Sequence, residues 1–383
     1  MECKMHVGVQ GMGTSKIEME FLRRHGVTHM NAGMADHEVE TLVRHKEEAA
    51  AFGVSVEAKH ISLPRSITLA QDPQRDEDIE RVCRWIDNAG QAGYRALFYN
   101  FCILDHQRTA ATLGRGGVSY STFDMSQYDN ETLSEAGVVS REEAFTRATY
   151  FLERVIPVAE ECKVQMACHL NDPPAPVLRG VERWNWPVME GLKRFSELVD
   201  SPYHGFNFCC GVAAEGLENP AEELCDIVRY FGERKKLFNI HYRNIRGGLY
   251  RFQEVWPDEG DVDMHEVART LRDVGYEWVG QDDGWQQCAS NSHGFAPPYG
   301  YGYHDNTSGL PLPNTAKFPN MSVMTARAKA LGLSPGWYGN NCYCRDMYCQ
   351  GAERCFEGDV KATLEWGQRP TPLLSAIPLL LRV

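Results

Sequence analysis

No apolar run in the chain approaches the ~18 residues that a membrane-spanning helix needs, so no transmembrane segment is expected. The opening MECKMHVGVQGMG lacks the long apolar core of a secretory signal. Basic residues are in deficit: 39 Lys and Arg against 52 Asp and Glu leave a net charge of −13. A nucleic acid or an anionic membrane would select a basic face, so neither is expected as a partner. No low-complexity run occurs, and 43% hydrophobic with 24% charged residues excludes disordered, collagen-like and coiled-coil chains. A nucleotide fold is disfavoured too, because Gly11-Met12-Gly13 after the first strand lacks the third glycine of a dinucleotide fingerprint.

What is present is a rhythm. Short apolar runs at Met5–Gln10, Val27–Met30, Val54–Ala58, Ala96–Asn100, Gln165–His169, Phe206–Cys209, Leu237–His241 and Glu277–Asp282 read as strands. Helical patterns fill the gaps: His37–Ala51, Asp76–Ala92, Arg141–Glu161, Pro187–Val199, Pro220–Phe231 and Asp263–Val274. In the second of these, Ile79, Val82, Cys83 and Ile86 fall on one helix face. Gly26-Val27, Gly53-Val54, Gly93-Tyr94 and Gly275-Tyr276 read as helix ends opening into strands, since glycine takes the left-handed cap at no steric cost. Eight strands with helical connections predict a (β/α)8 TIM barrel, and an open doubly wound sheet is the alternative.

The 383 residues exceed one such barrel of about 250 residues. Five of the 13 cysteines and nine of the 19 prolines fall after residue 286, which marks a change of character. Residues 1–286 therefore read as the barrel domain. Residues 287–383 read as an incomplete α/β extension, not an independent domain. Ser290–Pro313 is loop, Val323–Leu331 a helix and Leu333–Tyr338 a strand.

Chemistry in a barrel collects where the strands finish. Strands five to eight end in His169, Cys209, His241 and Asp282, which are 40, 32 and 41 residues apart. A single strand-end histidine is commonly structural, and a cysteine in Phe208-Cys209-Cys210 is commonly core. Four metal-competent ends in succession point instead to a divalent transition metal, and ligand type alone allows zinc, iron or manganese. Nearby stand Asn100 at the end of strand four, Asp105, Arg108, the rigid Asn171-Asp172-Pro173-Pro174 turn, and Arg243, which could hold a carboxylate bidentately.

These stretches carry a resemblance. Tyr99-Asn100-Phe101 with Asp105 and Arg108-Thr109, His169-Leu170-Asn171-Asp172-Pro173-Pro174, Phe208-Cys209, His241-Tyr242-Arg243-Asn244 and Gly260-Asp261-Val262-Asp263-Met264 resemble the mannonate dehydratases, metal-dependent sugar-isomerase-like barrels. The resemblance implies loss of water from D-mannonate to give 2-keto-3-deoxy-D-gluconate. It implies Mn²⁺, with Fe²⁺ or another divalent metal open, held by His169, Cys209, His241 and Asp282. Asn100, Arg108 and Arg243 would bind substrate, with Asp172 and Asp283 in proton transfer. The proton beside a carboxylate is weakly acidic, and a cation on the carboxylate and a hydroxyl would stabilise the developing charge. The chain departs from the family at Gln281-Asp282-Asp283, where Asp283 stands in place of a histidine.

From Gly275 onward the sequence also resembles retaining α-galactosidases, through Asp282-Asp283-Gly284-Trp285, Lys317-Phe318-Pro319 and Gly336-Trp337-Tyr338-Gly339-Asn340-Asn341-Cys342. That reading would give Asp282 and Asp283 sugar hydroxyls, but the chain runs into Gln368-Arg369-Pro370 before a nucleophilic Asp arrives. No glycosidase activity is expected, since retention needs two carboxylates. The alternatives to the dehydratase are therefore a carbohydrate-binding fragment or a non-functional chimera. The expected partner is a small sugar acid, self-association is left open, and the expected compartment is the cytoplasm. The sequons at Asn306-Thr307-Ser308 and Asn320-Met321-Ser322 hint weakly at a secreted ancestor.

Overall fold

The computed structural model describes residues 8–12, 14–16, 19–20, 22, 29–33, 36–114, 119–275, 278–281, 308, 310–311, 320–330, 334–337, 358, 361–362 and 365–366. In chain order its main elements are β1 (Gly8–Met12), β2 (His29–Ala32), α1 (Val39–Ala50), β3 (Ser55–His60), α2 (Gln74–Gln91) and β4 (Ala96–Asn100). There follow α3 (Arg141–Cys162), β5 (Gln165–His169), α4 (Val188–Ser196), β6 (His204–Cys209), α5 (Cys210–Glu215) and α6 (Pro220–Glu233). The series closes with β7 (Leu237–His241), α7 (Met264–Asp273), β8 (Trp278–Gln281), α8 (Met321–Ala330) and β9 (Ser334–Trp337). Each of the eight expected strands has an observed counterpart, as does each of the six expected helices. The alternation is that of a (β/α)8 barrel.

The chain divides into two compact units. The larger comprises Ala35–Arg44 and Glu57–Val274. Its strands run parallel in the order β3-β4-β5-β6-β7, so chain neighbours are spatial neighbours. This is the pattern that right-handed βα crossovers generate. The helices form for local reasons as well as apolar ones. Ser140 caps α3 by accepting the Glu143 amide at 3.2 Å, and Glu142 and Glu143 in the first turn complement the helix dipole. The same helix buries Phe145, Ala148, Phe151, Leu152, Val155 and Ile156 along one face. Asp263 caps α7 in the same manner, accepting the His265 amide at 2.9 Å. Gly93 and Gly275 have positive φ, 72° and 108°, as the helix-ending reading of their sequence requires. Gly26 lies outside the described residues.

Two features of this unit were not anticipated. Asn244–Gly248 and Arg251–Val255 form an antiparallel hairpin directly after β7, and the second arm pairs with Thr122–Asp124. The short helix α5 begins at the residue after Cys209 without an intervening loop.

The smaller unit comprises Met1–Met34, His45–Val56 and Gly275–Val383. Within it β1 lies parallel to β2, with Gly8 opposite His29. Strand β8 lies parallel to β9, Gly280 opposite Gly336. Helix α8 and strand β9 fall where Val323–Leu331 and Leu333–Tyr338 were expected. Among the described residues no helix is long and apolar enough to cross a membrane.

Candidate active site

Strand register in the larger unit decides which side chains meet. His169 lies level with Asn100 of β4 and with Asn207 of β6, while Cys209 lies level with His241 of β7. Successive strand residues point to opposite faces, so Asn100, His169, Cys209 and His241 share one face. His60 pairs with Phe98, two residues before Asn100, and joins that same face. Its Nε2 stands 3.5 Å from Asn100 Oδ1.

Three of the four expected ligands converge. The rings of His169 and His241 have centroids 5.0 Å apart, and one donor atom from each of His169, Cys209 and His241 lies within 4.8 Å of the others. His169 Nδ1 is 2.7 Å from the Leu170 carbonyl. A carbonyl only accepts, so that nitrogen carries the proton and Nε2 is left with its lone pair. Burial alone would push the Cys209 thiol up. The Arg243 guanidinium, with the neighbouring His169 and His241 adding to it, outweighs burial and holds the thiol well below its usual range. Burial would likewise lower His169, but its contact with Cys209 raises it. Two imidazoles and a sulfur that favours the thiolate are donors suited to a divalent first-row transition metal. Asp282 and Asp283 lie outside the described residues; β8 ends at Gln281, immediately before them.

Beside this trio is a compact set of opposite charges. Arg108 grips Asp172 with both terminal nitrogens, at 2.6 and 2.8 Å. Arg243 donates from Nη2 to Glu215 at 2.6 Å and reaches Asp172 at 3.5 Å. Glu254, from the hairpin, bonds to both arginines and accepts the Ser121 hydroxyl at 2.9 Å. His106 Nε2 lies 3.4 Å from Asp172.

Burial would push Asp172 up, but His106, Arg108 and Arg243 hold it well below the usual carboxylate range. It therefore stays ionised near neutral pH and anchors a guanidinium, which suits it poorly to the proton transfer that the resemblance implied for it. Glu215 goes the other way, pushed up by complete burial and by the nearby Asp172. Arg243 can lie where it does because residue 211 is glycine: a Cβ there would stand 2.2 Å from Arg243 Nε.

Sequence reasoning thus named Asn100, Arg108, His169, Asp172, Cys209, His241 and Arg243, and the larger unit brings all of them to this end of its strands. It missed His60, His106, Glu215 and Glu254. His60 ends a strand that runs two residues beyond the Ala58 expected. Glu215 carried a readable signal, a lone acid in the apolar run Cys209–Gly216. Glu254 carried none.

The fold and the site together define a class: a (β/α)8 barrel enzyme with a nitrogen–sulfur donor set and a charged arginine–carboxylate cluster at its strand ends. The comparisons narrow it. Residues 125–312 match the family model described as D-mannonate dehydratase (UxuA). Mannonate dehydratase of Thermotoga maritima is 29% identical over 311 residues, which span 70% of this chain and 82% of that protein. That of Enterococcus faecalis is 37% identical over 175 residues, 45% of this chain and 46% of the other. The crystal structure of mannonate dehydratase from Streptococcus suis serotype 2 superposes with a TM-score of 0.63 at 25% identity, covering 71% of this chain and 82% of that one. Through the middle and larger part of its length, the chain is thus similar in sequence and in fold to mannonate dehydratases, as a hydro-lyase of that kind would be.

Proposed function

We propose that the protein removes water from D-mannonate to give 2-keto-3-deoxy-D-gluconate, with a divalent metal held by His169, Cys209 and His241. The observation that carries this reading is the convergence of those three donors next to Arg108 and Arg243. One cluster then serves both needs of a sugar-acid substrate, a Lewis acid and cationic partners for its carboxylate. Asp282 completes the ligand set in this reading.

The reaction breaks the C2–H and C3–OH bonds, and the departing hydroxyl leaves as water once protonated. When bound, the ion supplies positive charge that polarises the substrate's oxygens. Arg108 and Arg243 orient the carboxylate through planar, bidentate donors. Asn100, level with His169, offers an amide to a sugar hydroxyl. Asp172 remains ionised and fixes Arg108. Asp283 is assigned both proton transfers, taking the C2 proton and giving it to the departing C3 hydroxyl, which leaves as water.

Mn²⁺ is the metal the family resemblance implies, whereas a thiolate with two imidazoles also suits Fe²⁺ and Zn²⁺. The working compartment we assign is the cytoplasm, where Cys209 would stay reduced. The decisive assay follows keto-deoxy-gluconate formation from D-mannonate after chelation and reloading with Mn²⁺, Fe²⁺ or Zn²⁺. Turnover restored by at least one metal is expected. No product at high enzyme concentration with any of them overturns the assignment.

A further inference from the structure

Each arginine of the charged cluster already has an anchoring acid of its own. Arg108 is held by Asp172, and Arg243 by Glu215, whose residue is 0% exposed. Glu254 is a third acid with a different standing. Its side chain is 23% exposed, and its Oε1 sits between the remaining donors: Arg108 Nε at 3.2 Å, Arg108 Nη2, Arg243 Nη1, and Ser121 Oγ at 2.9 Å. A single carboxylate oxygen at the junction of two guanidiniums is the arrangement a bound carboxylate ligand would make. The donor edges facing it are those not taken by the two anchoring acids.

We infer that Glu254 is an internal ligand of the enzyme's carboxylate subsite, and that the carboxylate of an incoming sugar acid must displace it to engage Arg108 and Arg243. This rests on the dehydratase reading for the identity of the substrate but not for the existence of the subsite. Glu254 sets a toll on affinity: binding is weakened by the fraction of molecules in which Glu254 holds the arginines. It also confers selectivity, because a neutral sugar has no carboxylate with which to replace it. Displacement requires only that the Glu254 side chain turn toward solvent from the hairpin arm Arg251–Val255. Asp172 and Glu215 stay, so the guanidiniums keep their aim.

The test is calorimetric titration of the metal-loaded full-length enzyme with D-gluconate, comparing wild type, E254Q and S121A. E254Q removes the competing charge while keeping the side chain's shape, and should bind D-gluconate about tenfold tighter. S121A removes the hydroxyl that donates to Glu254 and accepts from Arg108 Nε at 2.9 Å; it should give a smaller gain in the same direction, which preserves the test if E254Q folds poorly. Equal or weaker binding in the folded variants overturns the inference, because Glu254 would then be support for the arginines and not their competitor. The D-mannonate assay separates the two readings. Tighter gluconate binding without turnover keeps the subsite and removes the substrate assignment. Turnover with no gain in binding removes Glu254's role alone.

Discussion

Among individual residues, the chemistry rests on side chains whose neighbours set their charge. Cys209 is held toward the thiolate, so it is the strongest donor of the trio. Cys209→Ala should lower metal affinity by more than the roughly 10–100-fold that loss of a merely supporting partner costs, measured by equilibrium dialysis against Mn²⁺ and Zn²⁺. A second residue governs stability. His204 is fully buried with Nε2 at 2.8 Å from the Phe195 carbonyl, and burial lowers its pKa from 6.5 to about 4. Between those two values the unfolded chain binds more protons than the folded one, so stability falls as pH drops. His204 therefore contributes no pH-dependent loss above about 6.5 and a growing loss toward 4. Urea titrations across this window should show that decline in the wild type and a flatter profile in His204→Gln. His169, Cys209 and His241 were legible in the sequence because each closes an apolar run, and a strand end in a barrel is a place with known chemistry. Glu254 was not legible. It lies 146 residues from Arg108, and nothing local marks a glutamate in Arg251–Val255 as the partner of two distant arginines.

Among elements, the barrel strands were readable because each is a short apolar run set off by a cap or turn. The edges of β4, β5 and β7 fell as expected, those of the others moved by up to three residues, and for β3 the shift hid His60. The hairpin Asn244–Gly248 and Arg251–Val255 escaped notice because its alternation is interrupted by Gly247, Gly248 and Leu249. The helices were readable from both face and cap. Ser140 and Glu143 show what a cap is worth: serine followed three residues later by glutamate opens α3, the longest helix described. Ser140→Ala should cost about 1 kcal/mol in denaturant unfolding with no change of slope. Helix α5 offers a functional counterpart. It turns from β6 without a loop, which brings Gly211 under the Arg243 side chain and Glu215 to its far end. Gly211→Ala would push Arg243 from its place, and we expect a raised KM for D-mannonate together with an intact metal content.

For the whole molecule, the composition change near residue 286 pointed to two parts, and the compact units group Gly275–Val383 with Met1–Met34 and His45–Val56. We propose that residues 287–383 have no independent fold. Expressed alone they should give no cooperative transition in calorimetry, whereas the full chain should give one. The barrel class was legible because βα repetition spans most of the chain. Of the charged cluster, Arg108, Asp172 and Arg243 were legible, but their pairing with Glu215 and Glu254 was not, because it depends on packing between segments far apart in sequence. The three candidate metal donors are different in this respect. They sit on strands that are consecutive in the chain and adjacent in the sheet, β5, β6 and β7. A chain emerging from the ribosome thus exposes His169, Cys209 and His241 before any residue that follows them. On the proposed metal reading, capture of the ion is then an event of biosynthesis, with the ion as a nucleus around which the last strands are laid down.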